Sequence, residues 1–238
     1  MTATEDLFRE DAYLRDCAAT VLSVREDGGI VTDRTVFYPT GGGQPGDTGV
    51  LVGADGREVA VVNTVYGETR RQIVHLLAEG APRPAAGEAV TLRLDWDRRH
   101  RLMRMHTCLH LLSVVLPHPV TGGSIGAEEG RLDFDIPDMT MDRDEMTARL
   151  NELIGSGAAV SHRWITDAEL DANPALVKTM AVAPPRGTGR VRLVEIAGVD
   201  LQPCGGTHVA NTAEIGRAEV TKIEKKGKIN RRVRVSLA

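Results

Sequence analysis

The chain has 238 residues, 42% of them hydrophobic and 26% charged, and a formal net charge of −4. This is the composition of an ordinary globular protein of one or two domains, with no apolar run near the roughly 20 residues that span a bilayer. Three widely spaced cysteines (Cys17, Cys108, Cys204) exclude a disulfide scaffold, and an acidic N-terminus without an apolar stretch gives no secretory signal, so a soluble cytoplasmic protein is expected.

Segments 20–25, 29–33, 58–65, 71–76 and 89–94 are short and rich in Val, Ile and Leu. The dipeptides Asp27-Gly28 and Asp55-Gly56 between them favour tight hairpins. Several short strands with Gly-rich turns predict a small β-barrel, closing a first domain over residues 1–95. Within it stands Thr35-Val36-Phe37-Tyr38-Pro39-Thr40-Gly41-Gly42-Gly43-Gln44-Pro45-Gly46-Asp47-Thr48-Gly49. Three successive glycines admit close backbone approaches that side chains block. Read alone, the run also fits a plain barrel corner, and it lacks the Lys-Ser/Thr ending of a phosphate-binding loop, so no ATP is expected.

The second half, 96–238, changes period. Leu102, Met105, Leu109, Leu112 and Leu116 recur at steps of three and four, predicting an amphipathic helix stopped by Pro117. A second helix follows the Asp142-x-x-Glu145 capping signal, with Met146, Leu150, Leu153 and Ile154 as its buried stripe. A strand over 158–165, a short helix capped by Thr166-x-x-Glu169, and strands over 190–197, 199–202, 218–224 and 231–237 complete the order. The predicted fold class is α+β: a small N-terminal β-barrel, then an α+β domain with helices on an antiparallel sheet.

Charge is uneven. Between Arg217 and Arg234 eight Lys and Arg residues, Lys225 and Lys226 among them, stand against Glu219 and Glu224, and a second basic cluster comprises Arg98, Arg99, Arg101 and Arg104. Such asymmetry fits a polyanionic partner or two solvated faces. Aromatics at 3% argue against a binder that works mainly by stacking bases.

Two histidine pairs carry the chemistry. His106 and His110 lie four apart on the predicted helix, hence on one face; Cys204 and His208 flank Gly205-Gly206. Three imidazoles and a thiolate are borderline-soft donors suited to Zn²⁺. Alone, a His pair at this spacing also fits a packed surface pair. Thr107 takes the place of the Glu that a helical zinc peptidase needs. Cys108 points away from both imidazoles and reads as a buried structural thiol.

TVFYPTGGGQPGDTG, DWDRRHRLMRMHTCLHLL, VDLQPCGGTHVANTAEIG and the basic KIEKKGKINRRVRV tail, in this order, resemble the AlaX family. These are freestanding proteins similar to the editing domain of alanyl-tRNA synthetase; the Gly-rich segment is similar to that of the longer type. The resemblance implies a trans-acting hydrolase that deacylates mischarged alanine tRNA, chiefly seryl-tRNA(Ala), with glycyl-tRNA(Ala) as a second candidate. It implies one Zn²⁺ held by His106, His110, Cys204 and His208. It also implies Thr35 and Gln44 as catalytic residues: Thr35 matches the sensor of the serine hydroxyl, and Gln44 matches the glutamine of the Gly-rich motif. Gly41, Gly42, Gly43, Arg98, Arg99, Lys225 and Lys226 are the expected substrate-binding residues. Thr40 departs from the family pattern, in which acidic residues are frequent there. Two rival readings are a zinc-stabilised tRNA-binding module without catalysis and a threonyl-tRNA-type editing module. Four protein ligands make a closed site, whereas direct catalysis needs an exchangeable position, and the sequence supports either.

Overall fold

A computed structural model describes residues 3–136, 141–177 and 189–238. The chain divides into two compact units, Met1–His100 and Arg101–Ala238.

In the first unit, strands β1 (Glu5–Asp6) and β4 (Arg34–Thr35) pair in parallel. Strands β2 (Asp16–Val24), β3 (Ile30–Thr32), β5 (Gly49–Gly53), β6 (Glu58–Tyr66), β7 (Ile73–Leu77) and β8 (Ala89–Leu94) close a barrel in the order β2-β3-β7-β6-β5-β8. Strand β8 shows the cause: Val90, Leu92 and Leu94 are buried and alternate with exposed Ala89, Thr91 and Arg93, so one face of the pleat fills the barrel. Val21, Ile30, Leu51 and Val61 meet there. Strand β5 lies outside the expected segments because Gly49 and Gly53 flank only three apolar residues, which reads as loop. A Cβ at Gly49 would lie 2.2 Å from the Arg93 carbonyl oxygen, so close strand approach requires glycine here.

Helix α1 (Trp96–Val115) is capped by Asp95, whose Oδ1 accepts from Arg98 N at 3.1 Å. It is less amphipathic than expected. Besides Leu102, Met105, Leu109, Leu112 and Leu116, the residues Met103, Cys108 and Leu111 are buried, so the helix is covered on more than one face.

In the second unit, β9 (Val120–Ser124), β10 (Glu129–Asp135), β14 (Ala218–Lys226) and β15 (Asn230–Leu237) form an antiparallel sheet in the order β14-β15-β10-β9. A Cβ on Gly130 of β10 would come 2.5 Å from Met105 Sδ, so α1 packs directly on this sheet. The sequence pattern announces neither β9 nor β10: Gly122 and Gly123 interrupt one, and charge at alternate positions hides the other. Helix α2 (Arg143–Gly155) starts at Asp142, whose carboxylate accepts from Glu145 N, and buries Met146, Leu150 and Ile154; Leu153 is only half-buried. Strands β11 (Val160–Thr166), β12 (Arg190–Ile196) and β13 (Asp200–Pro203) form a second antiparallel sheet, and Thr166 and Glu169 make a reciprocal capping box for α3 (Asp167–Asp171). The fold is thus α+β with a closed barrel and antiparallel sheets. Among the described residues no helix is long and apolar enough to cross a membrane.

Candidate metal centre and Gly-rich corner

The second unit assembles the four expected ligands. His106 and His110 come from adjacent turns of α1, and Cys204 and His208 from the loop after β13. Their donor atoms all lie within 4.8 Å of one another. Cys204 Sγ is 3.5 Å from His106 Nε2 and 3.3 Å from His208 Nε2. Tetrahedral bonds of about 2.3 Å to sulfur and 2.0 Å to nitrogen imply an S···N edge of about 3.5 Å, so the donor set fits a zinc-sized cation. All three imidazoles are buried and Cys204 is half-buried.

The surroundings prepare these donors. Burial alone would raise the Cys204 thiol, but His106 and His208 outweigh it and hold the thiol well below its ordinary range. Gly206 N lies 3.4 Å from the sulfur and donates to it. Burial, with His106 beside it, holds His208 well below the usual imidazole range. For His110 burial acts downward, yet Asp200 and Cys204 together lift it to about 9. A thiolate beside a neutral imidazole is what a cation binds, and His110 would release a proton on binding. Arg192 holds the loop itself: its Nη1 donates to the carbonyls of Cys204 and Gly206 at 3.2 and 3.0 Å.

Thr107, Arg192, Asp200 and Gln202 are absent from the expected site. One signal for them exists in the sequence. Asp200 and Gln202 occupy alternate positions of a predicted strand that leads into Cys204, and both are buried polar groups. Cys108 is fully buried, with its thiol pushed up by burial to about 12.

In the first unit the Gly-rich run makes a corner. Gly41 and Gln44 exchange two backbone hydrogen bonds of 3.0 Å across Gly42 and Gly43, whose φ values are 58° and 83°. Two successive positive φ angles define a tight turn that glycine alone enters without strain. Gln44 is buried. Thr35 is fully buried too. Its Oγ1 accepts from Phe37 N at 3.0 Å and lies 2.8 Å from His75 Nε2. His75 Nδ1 lies 3.1 Å from the Ile30 carbonyl oxygen, which can only accept, so the ring proton sits on Nδ1 and Thr35 donates to Nε2. Burial pushes His75 down to about 4. Thr35 therefore has its proton committed and one acceptor lone pair already used.

The basic residues are put to different uses. Lys225 and Lys226 are exposed on β14. Arg98 is half-buried and donates to the Gly46 carbonyl at 2.8 Å. Arg99 corrects the sequence expectation: it is fully buried and ion-paired with Asp47, so it is not displayed to a phosphate. Arg232 is bidentate to Asp133 at 2.7 and 2.9 Å, and Arg234 pairs with Glu224 and Glu129. Arg234 holds the Glu224 carboxyl down at about 2.

Comparison with known proteins bears on this arrangement. The family model described as "Threonyl and Alanyl tRNA synthetase second additional domain" matches residues 191–234, and "tRNA synthetases class II (A)" matches residues 13–98. The alanyl-tRNA editing protein AlaX-M of Methanosarcina acetivorans is 37% identical, over 98% of this chain and 99% of its own length. AlaX-M of Pyrococcus horikoshii is 31% identical over 98% of each chain. The alanine–tRNA ligase of Hyperthermus butylicus is 38% identical, over 94% of this chain but only 24% of the ligase. The chain belongs to the AlaX-M family of alanyl-tRNA editing proteins.

Proposed function

We propose that the protein deacylates mischarged alanine tRNA in trans, chiefly seryl-tRNA(Ala), by hydrolysing the ester between the amino acid and the terminal ribose. The observation that carries the reading is the convergence of His106, His110, Cys204 and His208 at zinc-compatible spacing on a family scaffold. The match to a quarter of a ligase supports action on tRNA charged elsewhere.

A Zn²⁺ held by these four residues would supply positive charge to orient the tRNA end or stabilise charge developing at the ester. The chain's own residues supply the rest. Asp200, Thr107 and Arg192 hold the donors and their loop in place. An aminoacyl ester is already activated, so positioning and charge stabilisation suffice. Thr35 would meet the serine hydroxyl as an acceptor, because its own proton is committed to His75. Alanine offers no donor there, and a site built around one hydrogen bond discriminates strongly against a ligand that lacks it. Gln44 and Gly41, Gly42 and Gly43 shape the corner for close approach. Lys225, Lys226 and Arg98 are assigned to tRNA phosphates, which supply affinity but little sequence information.

The test is deacylation of seryl-, glycyl- and alanyl-tRNA(Ala) by purified protein, with elemental analysis for zinc. The expected result is rapid loss of serine, little loss of alanine, and about one Zn²⁺ per chain that disappears with activity in Cys204→Ala. Tight binding of seryl-tRNA(Ala) without hydrolysis would overturn the enzymatic reading and leave a tRNA-binding module.

A further inference from the structure

We infer that Thr107 and Asp200 are positioning residues that fix the ring tautomers of His208 and His110, so that both present Nε2 to one divalent cation. The inference rests on the reading of His106, His110, Cys204 and His208 as a ligand set.

For Thr107 the hydrogen-bond accounting is closed. Its Oγ1 donates to Met103 O at 3.0 Å, accepts from Val209 N at 3.3 Å, and lies 3.1 Å from His208 Nδ1. A hydroxyl has one proton and two lone pairs. The carbonyl must take the proton and the backbone N–H must fill one lone pair. The remaining contact is therefore donated by His208, whose proton sits on Nδ1. Its Nε2 is left bare, and that is the atom 3.3 Å from Cys204 Sγ.

Asp200 acts on His110 in the same sense. Its side chain is closed to solvent, and Oδ2 lies 3.5 Å from His110 Nδ1, a buried nitrogen with no hydrogen-bond partner among the described residues. Gln202 Nε2 donates to the same oxygen at 2.7 Å and holds the carboxylate in place. A carboxylate only accepts, so Asp200 keeps the proton on Nδ1, and the proton that His110 gives up to a cation is the one on Nε2.

The arrangement is reciprocal. Thr107 belongs to the helix that carries His106 and His110 but orients His208. Asp200 belongs to the strand that leads into Cys204 and His208 but orients His110. Each ligand pair is thereby locked by a residue from the other pair's segment. Partners of this kind fix ring orientation and raise ligand basicity, and their loss weakens metal affinity about 10- to 100-fold.

The experiment uses the zinc-loaded full chain. Competition with a chelator measures zinc affinity for the parent, Thr107→Val, Thr107→Ser and Asp200→Asn, and ¹⁵N spectra of the imidazoles identify the protonated nitrogen. We expect Nδ1–H signals for His110 and His208 in the parent, affinity about 10- to 100-fold weaker in Thr107→Val and Asp200→Asn, and near-parent affinity in Thr107→Ser. Coordination through Nδ1, or affinity within twofold of the parent in both folded variants, would overturn the inference. If Thr107→Val does not fold, Asp200→Asn and the parent spectrum still decide. A parent that binds no zinc would overturn the ligand-set reading itself, which separates the two failures.

Discussion

Arg99 and Asp47 form an ion pair that is closed to solvent on both sides. Arg99 Nε meets both carboxylate oxygens at 2.9 and 3.1 Å, while Nη2 and Nη1 donate to the carbonyls of Val36 and Ala12. Asp47 also accepts from Tyr38 N at 2.6 Å. The pair thus ties the end of the Gly-rich segment to the first turn of α1. Removing one partner strands a buried charge, so Arg99→Leu is expected to cost about 3–5 kcal/mol. Urea unfolding is the measurement. The Arg99→Leu/Asp47→Leu double variant should lose less than the sum of the singles, since contacting residues are not additive.

Thr35→Val removes the acceptor for Phe37 N and the donor to His75 Nε2 together. The substitution therefore probes stability as well as recognition, with an expected cost of about 1–3 kcal/mol for buried groups left unpaired. Thr35→Ser keeps the hydroxyl and should keep both properties. The discriminating measurement is the ratio of kcat/KM for seryl- and alanyl-tRNA(Ala): it should fall about tenfold or more in Val and stay near the parent in Ser. An unchanged ratio in a folded Val variant would confine Thr35 to a structural role.

His75 is buried and neutral, its pKa lowered by burial from 6.5 to about 4. As pH falls below 6.5 the unfolded chain takes up this proton first, so stability is lost progressively down to about pH 4 and is fully present above 6.5. The shift corresponds to about 3 kcal/mol over that window. Thermal melts across pH 4 to 7 should therefore show a shallower acid decline in His75→Gln than in the parent, despite a lower plateau at pH 7.

The ion pairs on β15 sort the basic residues by experiment. Arg232 is occupied by Asp133, so Arg232→Ala should lower stability but leave the salt dependence of tRNA binding nearly unchanged. Lys225→Ala/Lys226→Ala should flatten the slope of log affinity against log salt by a little under about one unit per lost phosphate contact. Binding of non-hydrolysable seryl-tRNA(Ala) across salt concentrations measures both. A parent slope in the lysine variant would return that cluster to a solvated face.

The barrel and the clustering of the four His and Cys residues were legible because their signals are local and periodic. Alternation in 89–94 and the spacings of His106/His110 and Cys204/His208 are written in the order of residues. Strands β5, β9 and β10 were not, because glycine or charge interrupts their alternation and only pairing with neighbours makes them strands. Helix α1 reads as amphipathic because Met103, Cys108 and Leu111 fall off the regular stripe; only the surrounding layers reveal their burial. The fates of Arg99 and Arg232 were illegible for a related reason. A basic residue looks free until the carboxylate that neutralises it, 52 or 99 positions away, is brought alongside.

Strand β14 lies at the margin of its four-stranded sheet, and its two halves are protected differently. Near its start, Asn151 of α2 bonds both the N–H and the carbonyl of Ala218, and Thr147 Oγ1 accepts from Val220 N. Further along, the strand carries Lys222, Lys225 and Lys226 instead. Charged side chains on an open sheet margin repel a second copy that would otherwise extend the sheet by pairing. Lys225 and Lys226, proposed above to meet tRNA phosphates, would also disfavour self-association at this margin. Alanine at Lys225 and Lys226 is expected to promote oligomerisation, visible by light scattering, whereas glutamate in their place would keep a charged margin and would remove the proposed phosphate contact.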